Sequence, residues 1–226
     1  MKFVIVQGDG MSDLPVESLG GLTPLEKAHT PNMDRLADRG RLGLAWTIPD
    51  GFAPGTDVGT MSILGYDPAR YHTGRSPIEA ASMGIELSDD DIAFRCNLVT
   101  LEEREGKEVM ADFTAGHIGT EEAAELVALL EDELGDDGVN FHAGVSYRHL
   151  MIWTGGEDRM ETTPPHDITD REVGAHLPAG QGSERLRELS LRAHEILAAH
   201  PVNEKRRAAG QRPATDIWLW GQGRRP

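Results

Sequence analysis

The stretch from Pro54 to Pro68, PGTDVGTMSILGYDP, places a hydroxyl where an anion such as phosphate is well received. A Pro-Gly turn comes first, Thr56 and Asp57 follow it, and a short amphipathic run then closes on Gly65. This pattern predicts a helix with Thr56 at its N-terminus. Unpaired backbone N–H groups and the positive end of the dipole meet at a helix N-terminus, so the Thr56 hydroxyl is a candidate nucleophile toward phosphate. The alternative is that Thr56 only caps the helix, which is a common use of threonine.

The start of the chain supplies a carboxylate that could hold a divalent metal. An apolar, β-branched run, Lys2 to Gln7, leads into Gly8, Asp9 and Gly10. Such a run predicts a buried strand that delivers Asp9 at its C-terminal edge, which is the usual position of ligands in open α/β sheets. Asp9 is therefore a candidate metal ligand, although Asp-Gly also occurs in ordinary turns. If Asp9 and Thr56 share a metal, we expect their oxygens within about 6 Å of each other.

Arginines inside or beside apolar segments are the candidates for binding an anionic substrate. Arg95 and Arg148 interrupt apolar strand runs, where a cation is costly unless an anion meets it. Asn97 is two residues from Arg95 and therefore on the same strand face. An internal salt bridge is the alternative for both arginines.

Two further side chains in loops join these candidates. Arg75 follows Thr73-Gly74 in a turn, where its guanidinium could grip phosphate or carboxylate through two hydrogen bonds. The alternative for Arg75 is a surface ion pair with Glu79. His166, between Pro165 and Asp167, could hydrogen-bond substrate, although lone histidines are more often structural.

Short motifs at fixed spacing run through the whole chain. They are GDGM at 8–11, LTPLEKA at 22–28, TPNMD at 30–34, PGTD at 54–57, SILGYDP at 62–68, YHTGR at 71–75, AFRCN at 93–97, SYRH at 146–149, PHD at 165–167 and WLWGQG at 218–223. Together they resemble the archaeal-type, cofactor-independent phosphoglycerate mutases of the alkaline phosphatase superfamily.

The resemblance implies an isomerase of glycolysis and gluconeogenesis. Its members interconvert 3-phosphoglycerate and 2-phosphoglycerate through a phosphorylated hydroxyl and use two divalent metal ions, usually manganese, with magnesium, cobalt or zinc as alternatives. Carried over to this chain, the resemblance makes Thr56 both nucleophile and metal ligand, Asp9 a metal ligand, and Asp57 a substrate-binding residue with Arg75, Arg95, Asn97, Arg148 and His166.

The chain departs from the family pattern in two respects. The nucleophile is generally serine in these mutases, whereas position 56 is threonine. Family members are also much longer, and a second half supplies their remaining Asp and His metal ligands. We therefore expect this chain to correspond to the N-terminal part, to hold an incomplete second metal site, and to be inactive alone. A homoserine kinase-like phosphotransferase and a non-catalytic fragment remain as alternatives.

The order of elements predicts an α/β fold in two domains. Strand, helix, strand and helix up to residue 75 predict an alkaline-phosphatase-like, mostly parallel sheet flanked by helices, which residues 166–226 are expected to rejoin through a strand at 216–220. Strands around one helix in residues 76–165 predict an inserted α+β lid, whose arginines should face Thr56. Because the sheet is incomplete, we expect an unpaired edge or an exposed apolar face.

Composition limits the classes of partner. The net charge of −16 disfavours nucleic acid and anionic membranes, so a small phosphorylated sugar acid must be bound by local cations. A single cysteine suits a reducing compartment, and no run approaches the roughly 20 apolar residues of a membrane span. We predict a cytoplasmic protein whose protein partners are a second copy of itself or a separate C-terminal half.

Overall fold

A computed structural model describes residues 2–8 and 10–226 of the chain, which divide into two compact units, residues 1–70 and 71–226. The fold is mixed α/β, as predicted. The α-helices are α1 (Pro24–Lys27), α2 (Pro31–Arg39), α3 (Thr56–Ile63), α4 (Pro68–Tyr71), α5 (Arg75–Ser82), α6 (Thr120–Leu134), α7 (Ser183–Ala198) and α8 (Pro201–Ala208). The strands are β1 (Asp91–Arg104), β2 (Lys107–Asp112), β3 (Val139–Val145), β4 (Arg148–Thr154), β5 (Met160–Glu161), β6 (Ala179–Gly180) and β7 (Asp216–Arg224). No helix in the described ranges is long and apolar enough to cross a membrane.

Local sequence features mark the starts of the helices in the first unit. The Thr23 side chain accepts from the Glu26 amide while the Glu26 carboxylate accepts from the Thr23 amide, which is a capping box at the start of α1. Thr30 precedes α2 and Pro31 opens it. At α3 the N-cap is Gly55, and Thr56 is the first helical residue. The interpretation of Thr56 as an N-cap is therefore wrong.

The parallel sheet predicted for the first unit is absent from its described residues. Residues 2–8 and 41–47 belong to no helix or strand and carry no strand pairing. Their apolar side chains face solvent, for example Val6 at 90% and Leu44 at 107% relative exposure. Both runs have strand-like composition, yet a strand forms only where its backbone groups find a partner. The expectation of an exposed apolar face is met here.

The second unit is built on an antiparallel sheet with β1 at its centre. β1 pairs with β2, β4 and β7, and β4 pairs with β3. The hairpin between β1 and β2 turns at Glu105 and Gly106, both at positive φ. A separate two-stranded sheet joins β5 and β6.

Alternation along β1 separates two different faces of this sheet. One face carries Phe94, Cys96 and Leu98 into the main core, where side chains of α6 and α7 cover it. The opposite face carries Arg95, Asn97 and Val99, since successive side chains of a strand point to opposite sides. The sequence pattern therefore places the polar candidates together, away from the main core.

The last strand does not join the first sheet. We expected residues 216–220 to return there, and this expectation is wrong because β7 pairs antiparallel with β1, Trp218 opposite Asn97 and Trp220 opposite Arg95. Residues 166–226 lie in the same compact unit as residues 76–165.

Candidate anion-binding site

Four of the residues proposed to bind substrate surround the indole of Trp220. The guanidinium carbon of Arg75 lies 5.6 Å from the ring centroid and that of Arg95 lies 5.4 Å from it. The His166 ring is edge-on at 5.5 Å. The Trp220 indole nitrogen donates to Asn97 Oδ1 at 3.0 Å. We call these five residues the Trp220 cluster.

The pairing of β4 with β1 brings Arg148 beside this cluster. Arg148 is directly opposite Asn97, and side chains of directly opposite residues in an antiparallel pair share one face. Arg148 is exposed, and its guanidinium carbon lies 5.8 Å from the centroid of the Tyr147 ring. Its positive charge acts on Arg95. Three arginines from α5, β1 and β4 thus lie close to one another.

Arg95 is the buried member of the three. It is 3% exposed and its Nη1 pairs with Glu79 Oε2 at 2.8 Å. Burial lowers the pKa of the Arg95 guanidinium from its ordinary value; Glu79 opposes this shift, and the charges of Arg75 and Arg148 add to it. Arg95 Nε is buried and has no hydrogen-bond partner in the structure. Arg95 therefore retains an unused donor.

The alternatives considered for the arginines have different outcomes. Arg95 forms the internal salt bridge, with Glu79 as partner. Glu79 is consequently not the partner of Arg75, and within residues 2–8 and 10–226 no carboxylate pairs with Arg75 or Arg148. The local balance is three guanidinium groups against one carboxylate. In a chain with a net charge of −16, this is a concentrated positive site.

Asn97 has both ends of its amide occupied. Its oxygen accepts from Trp220, and its Nδ2 donates to the Phe113 carbonyl oxygen at 3.3 Å. The Asn97 side chain is also buried, with 2% relative exposure. In this arrangement Asn97 orients Trp220 rather than reaching outward.

Close backbone packing fixes Arg75 at the start of α5. Gly74 lies against Gln222 and Gly223 of β7, and a Cβ on Gly74 would overlap the Gln222 carbonyl oxygen. A Cβ on Gly223 would lie 2.5 Å from the Thr73 carbonyl oxygen. The next residue after Arg75 adds a tether, since the Ser76 hydroxyl donates to the Gly221 carbonyl oxygen at 2.6 Å. The glycines of the WGQG motif therefore allow the close packing of β7 against residues 73–76 that fixes the position of Arg75.

Replacing Gly223 by alanine is expected to lower the free energy of unfolding of the second unit by about 2 kcal/mol, because the new methyl group meets backbone that cannot yield. Urea unfolding followed by circular dichroism measures the change. Gly174→Ala is the matched control, since a Cβ there would meet only Glu172 Oε1 at 3.7 Å. Equal stability of the Gly223→Ala variant and the wild type would contradict this account of the motif.

Thr56 opens helix α3 in the first unit. It is exposed, and Asp57 follows it in the first turn. The absence of a side chain at Gly55 leaves room for the Asp57 carboxylate, because a Cβ there would overlap Oδ1. One turn further along α3, the Thr60 hydroxyl donates to Gln7 Oε1 at 3.4 Å. The end of the segment 2–8 therefore lies beside the helix that carries Thr56.

Asp9 lies outside the described residues, so its distance from Thr56 stays a prediction, as does the orientation of the arginines toward Thr56. The described residues do not by themselves fit a metal centre: they include no group of three or more His, Cys, Asp or Glu side chains that could hold an ion.

Trp220 is the residue that sequence reasoning missed. The alternation W-L-W at 218–220 places both tryptophans on one strand face, which signals an aromatic surface. The residues that contact this aromatic surface depend on which strand β7 pairs with. The sequence predicts that residues 216–220 join the first sheet, whereas β7 pairs with β1.

The fold and the cluster define an α/β protein with a positively charged, aromatic-backed site. A family model described as 2,3-bisphosphoglycerate-independent phosphoglycerate mutase matches residues 37–203. The chain belongs to the 2,3-bisphosphoglycerate-independent phosphoglycerate mutase family. The family indicated by the motifs is thereby confirmed.

Individual relatives agree with this assignment. A protein of Geobacter sulfurreducens named probable 2,3-bisphosphoglycerate-independent phosphoglycerate mutase is 50% identical over 226 residues, which cover 100% of this chain and 57% of the relative. A protein of Methanothermobacter thermautotrophicus named 2,3-bisphosphoglycerate-independent phosphoglycerate mutase 2 is 53% identical over 228 residues, which cover 100% of this chain and 55% of the relative. A solved cofactor-independent phosphoglycerate mutase from Thermoplasma acidophilum is similar to this chain with a TM-score of 0.58 at 28% identity. The match covers 96% of this chain and 58% of the solved chain. The chain spans about half the length of the curated relatives it matches.

Proposed function

We propose that this chain forms part of a phosphoglycerate mutase that interconverts 3-phosphoglycerate and 2-phosphoglycerate. The observation that carries the proposal is the pair of guanidinium groups, Arg75 and Arg95, held over one indole with a single carboxylate beside them. Phosphoglycerate carries a carboxylate and a phosphate, and both groups are well matched by forked guanidinium donors. The names of the relatives support the same substrate.

Thr56 is proposed as the phosphoryl acceptor. Its Oγ attacks the phosphorus of 3-phosphoglycerate, the bond between phosphorus and the 3-oxygen breaks, and the hydroxyl proton ends on the released glycerate oxygen. The reverse step transfers the phosphoryl group from Thr56 to the 2-oxygen. Because both steps are needed, Arg95 and Arg148 are proposed to retain the glycerate carboxylate while the molecule turns. Water must be excluded, since hydrolysis of the phosphothreonine would make the enzyme a phosphatase.

Dependence on two divalent ions, manganese first among them, is part of the proposal. Asp9 and Thr56 are the ligands that this chain is proposed to contribute, and a bound ion would lower the pKa of the hydroxyl. One carboxylate and one hydroxyl leave most of the coordination shell to other donors.

A coupled assay with Mn²⁺ and 3-phosphoglycerate tests the proposal on two proteins. One is the 226-residue chain, and the other is the same chain extended with the C-terminal part of the Geobacter sulfurreducens relative. We expect no appreciable turnover from the first and recovered turnover from the second. Robust turnover by the short chain would show that its site lies elsewhere. Phosphorylation of homoserine by the extended protein, without mutase activity, would replace the proposed reaction.

A further inference from the structure

We propose that Trp220 is a positioning residue that holds Arg75 and Arg95 on one indole so that both guanidinium groups act on the same anion. The two arginines come from different elements, the first turn of α5 and the middle of β1, and Trp220 comes from a third, β7. The identity of the anion as phosphoglycerate rests on the proposed function. The positioning role rests on the contacts within the second unit.

The ring is needed because the two arginines repel each other. The charge of Arg75 lowers the pKa of Arg95, which shows that the like charges interact. Glu79 compensates for Arg95 alone, through Nη1. The negatively polarised face of an indole attracts cations at distances such as 5.4 and 5.6 Å, so Trp220 offsets part of this repulsion without supplying a charge that would compete with a bound anion.

The neighbours of Trp220 fix the angle of its ring. Asn97 accepts from the indole N–H, and this amide is itself anchored on the Phe113 carbonyl. His166 contacts the ring edge-on. Gly221, which follows at φ +62°, lies between the two arginines: a Cβ there would be 3.6 Å from Arg75 Cβ and 3.7 Å from Arg95 Cγ. The indole is therefore locked while both arginine stems approach it closely.

Trp218 provides a comparison that separates positioning from core packing. It lies two residues away on the same strand face, and both tryptophans are 5% exposed. Both belong to the same hydrophobic cluster. The Trp218 indole nitrogen donates to the Thr163 carbonyl at 2.8 Å, and no arginine stacks on Trp218 among the described residues. A purely structural role would make the two tryptophans equivalent.

The experiment compares Trp220→Leu, Trp220→Phe and Trp218→Leu in the 226-residue chain. Isothermal titration calorimetry gives the affinities for 3-phosphoglycerate and for inorganic phosphate, and thermal unfolding gives the stability of each variant at the same time. We expect Trp220→Leu to weaken 3-phosphoglycerate binding about tenfold or more, which corresponds to the loss of two cation–π contacts, and Trp220→Phe to weaken it less. Inorganic phosphate has only one anionic group, so Trp220→Leu should weaken its binding less than that of 3-phosphoglycerate. The ratio of the two affinities should therefore be smaller in the variant than in the wild type. Trp218→Leu should lose stability but keep both affinities.

The outcomes distinguish this inference from the proposed function. Unchanged binding by Trp220→Leu, or an equal loss in Trp218→Leu, would overturn the positioning role. If the wild type binds phosphate but not 3-phosphoglycerate, phosphoglycerate is not the substrate. In that case the comparison of the Trp220 and Trp218 variants, made with phosphate, still decides the role of Trp220. If the wild-type chain binds neither anion, the positioning role of Trp220 fails, whereas the turnover of the extended protein still decides the proposed function.

Discussion

Thr56→Ala is expected to abolish phosphoryl transfer in the extended protein, with turnover falling by a factor of about 1,000 or more. A missing nucleophile removes the covalent route entirely, and each factor of ten in rate corresponds to about 1.4 kcal/mol in the barrier. Thr56 is exposed at the first position of α3, so its replacement removes no buried packing. The coupled assay measures turnover, and intact-protein mass spectrometry measures the phosphorylated enzyme after brief exposure to 3-phosphoglycerate.

Two variants make this test specific. Thr56→Ser keeps the hydroxyl and should retain both turnover and the phosphorylated species. Thr60→Ala, one turn along the same helix, removes the hydroxyl that bonds Gln7 and should retain phosphorylation. A phosphorylated Thr56→Ala protein would place the acceptor elsewhere.

Acidification from pH 7 to pH 4 is expected to remove about 3 kcal/mol of unfolding free energy through His149 alone. This residue is 1% exposed on β4, and burial, with a further contribution from the charge of Arg95, lowers its pKa from 6.5 to about 4. The Gly144 amide donates to His149 Nδ1 at 3.0 Å, so the neutral ring carries its proton on Nε2. A second proton would have to displace that hydrogen bond.

The direction of the effect follows from the two pKa values. The unfolded chain binds a proton at His149 below pH 6.5, whereas the folded chain resists it down to about pH 4. The contribution is therefore fully present above pH 6.5 and is lost as the pH falls through this window. Urea unfolding at several pH values measures it.

His149→Gln, which keeps a hydrogen-bond acceptor but does not titrate, should flatten the dependence between pH 6.5 and 4. His142→Gln on the adjacent strand β3 is the control and should keep the wild-type slope. An unchanged slope in His149→Gln would show that His149 is not the group responsible.

Local sequence was sufficient for most elements of the second unit. The alternation along β1 predicted the shared face of Arg95 and Asn97, and the helix expected among the strands of residues 76–165 is α6. These features depend on periodicity within a segment, which the chain carries by itself. The motifs also indicated the family, which the comparisons confirm.

Only the tertiary structure decided how these elements meet. Residues 2–7 have the composition of a strand but no pairing, and β7 pairs with β1 rather than with the first sheet. Strand pairing is non-local, so a segment does not encode its own partner. The same reason explains the site. The sequence identified Arg75 and Arg95 as candidate cations, but only the pairing of β7 with β1 placed Trp220 beside both guanidinium groups, and only the packing of α5 against β1 brought Glu79 to Arg95.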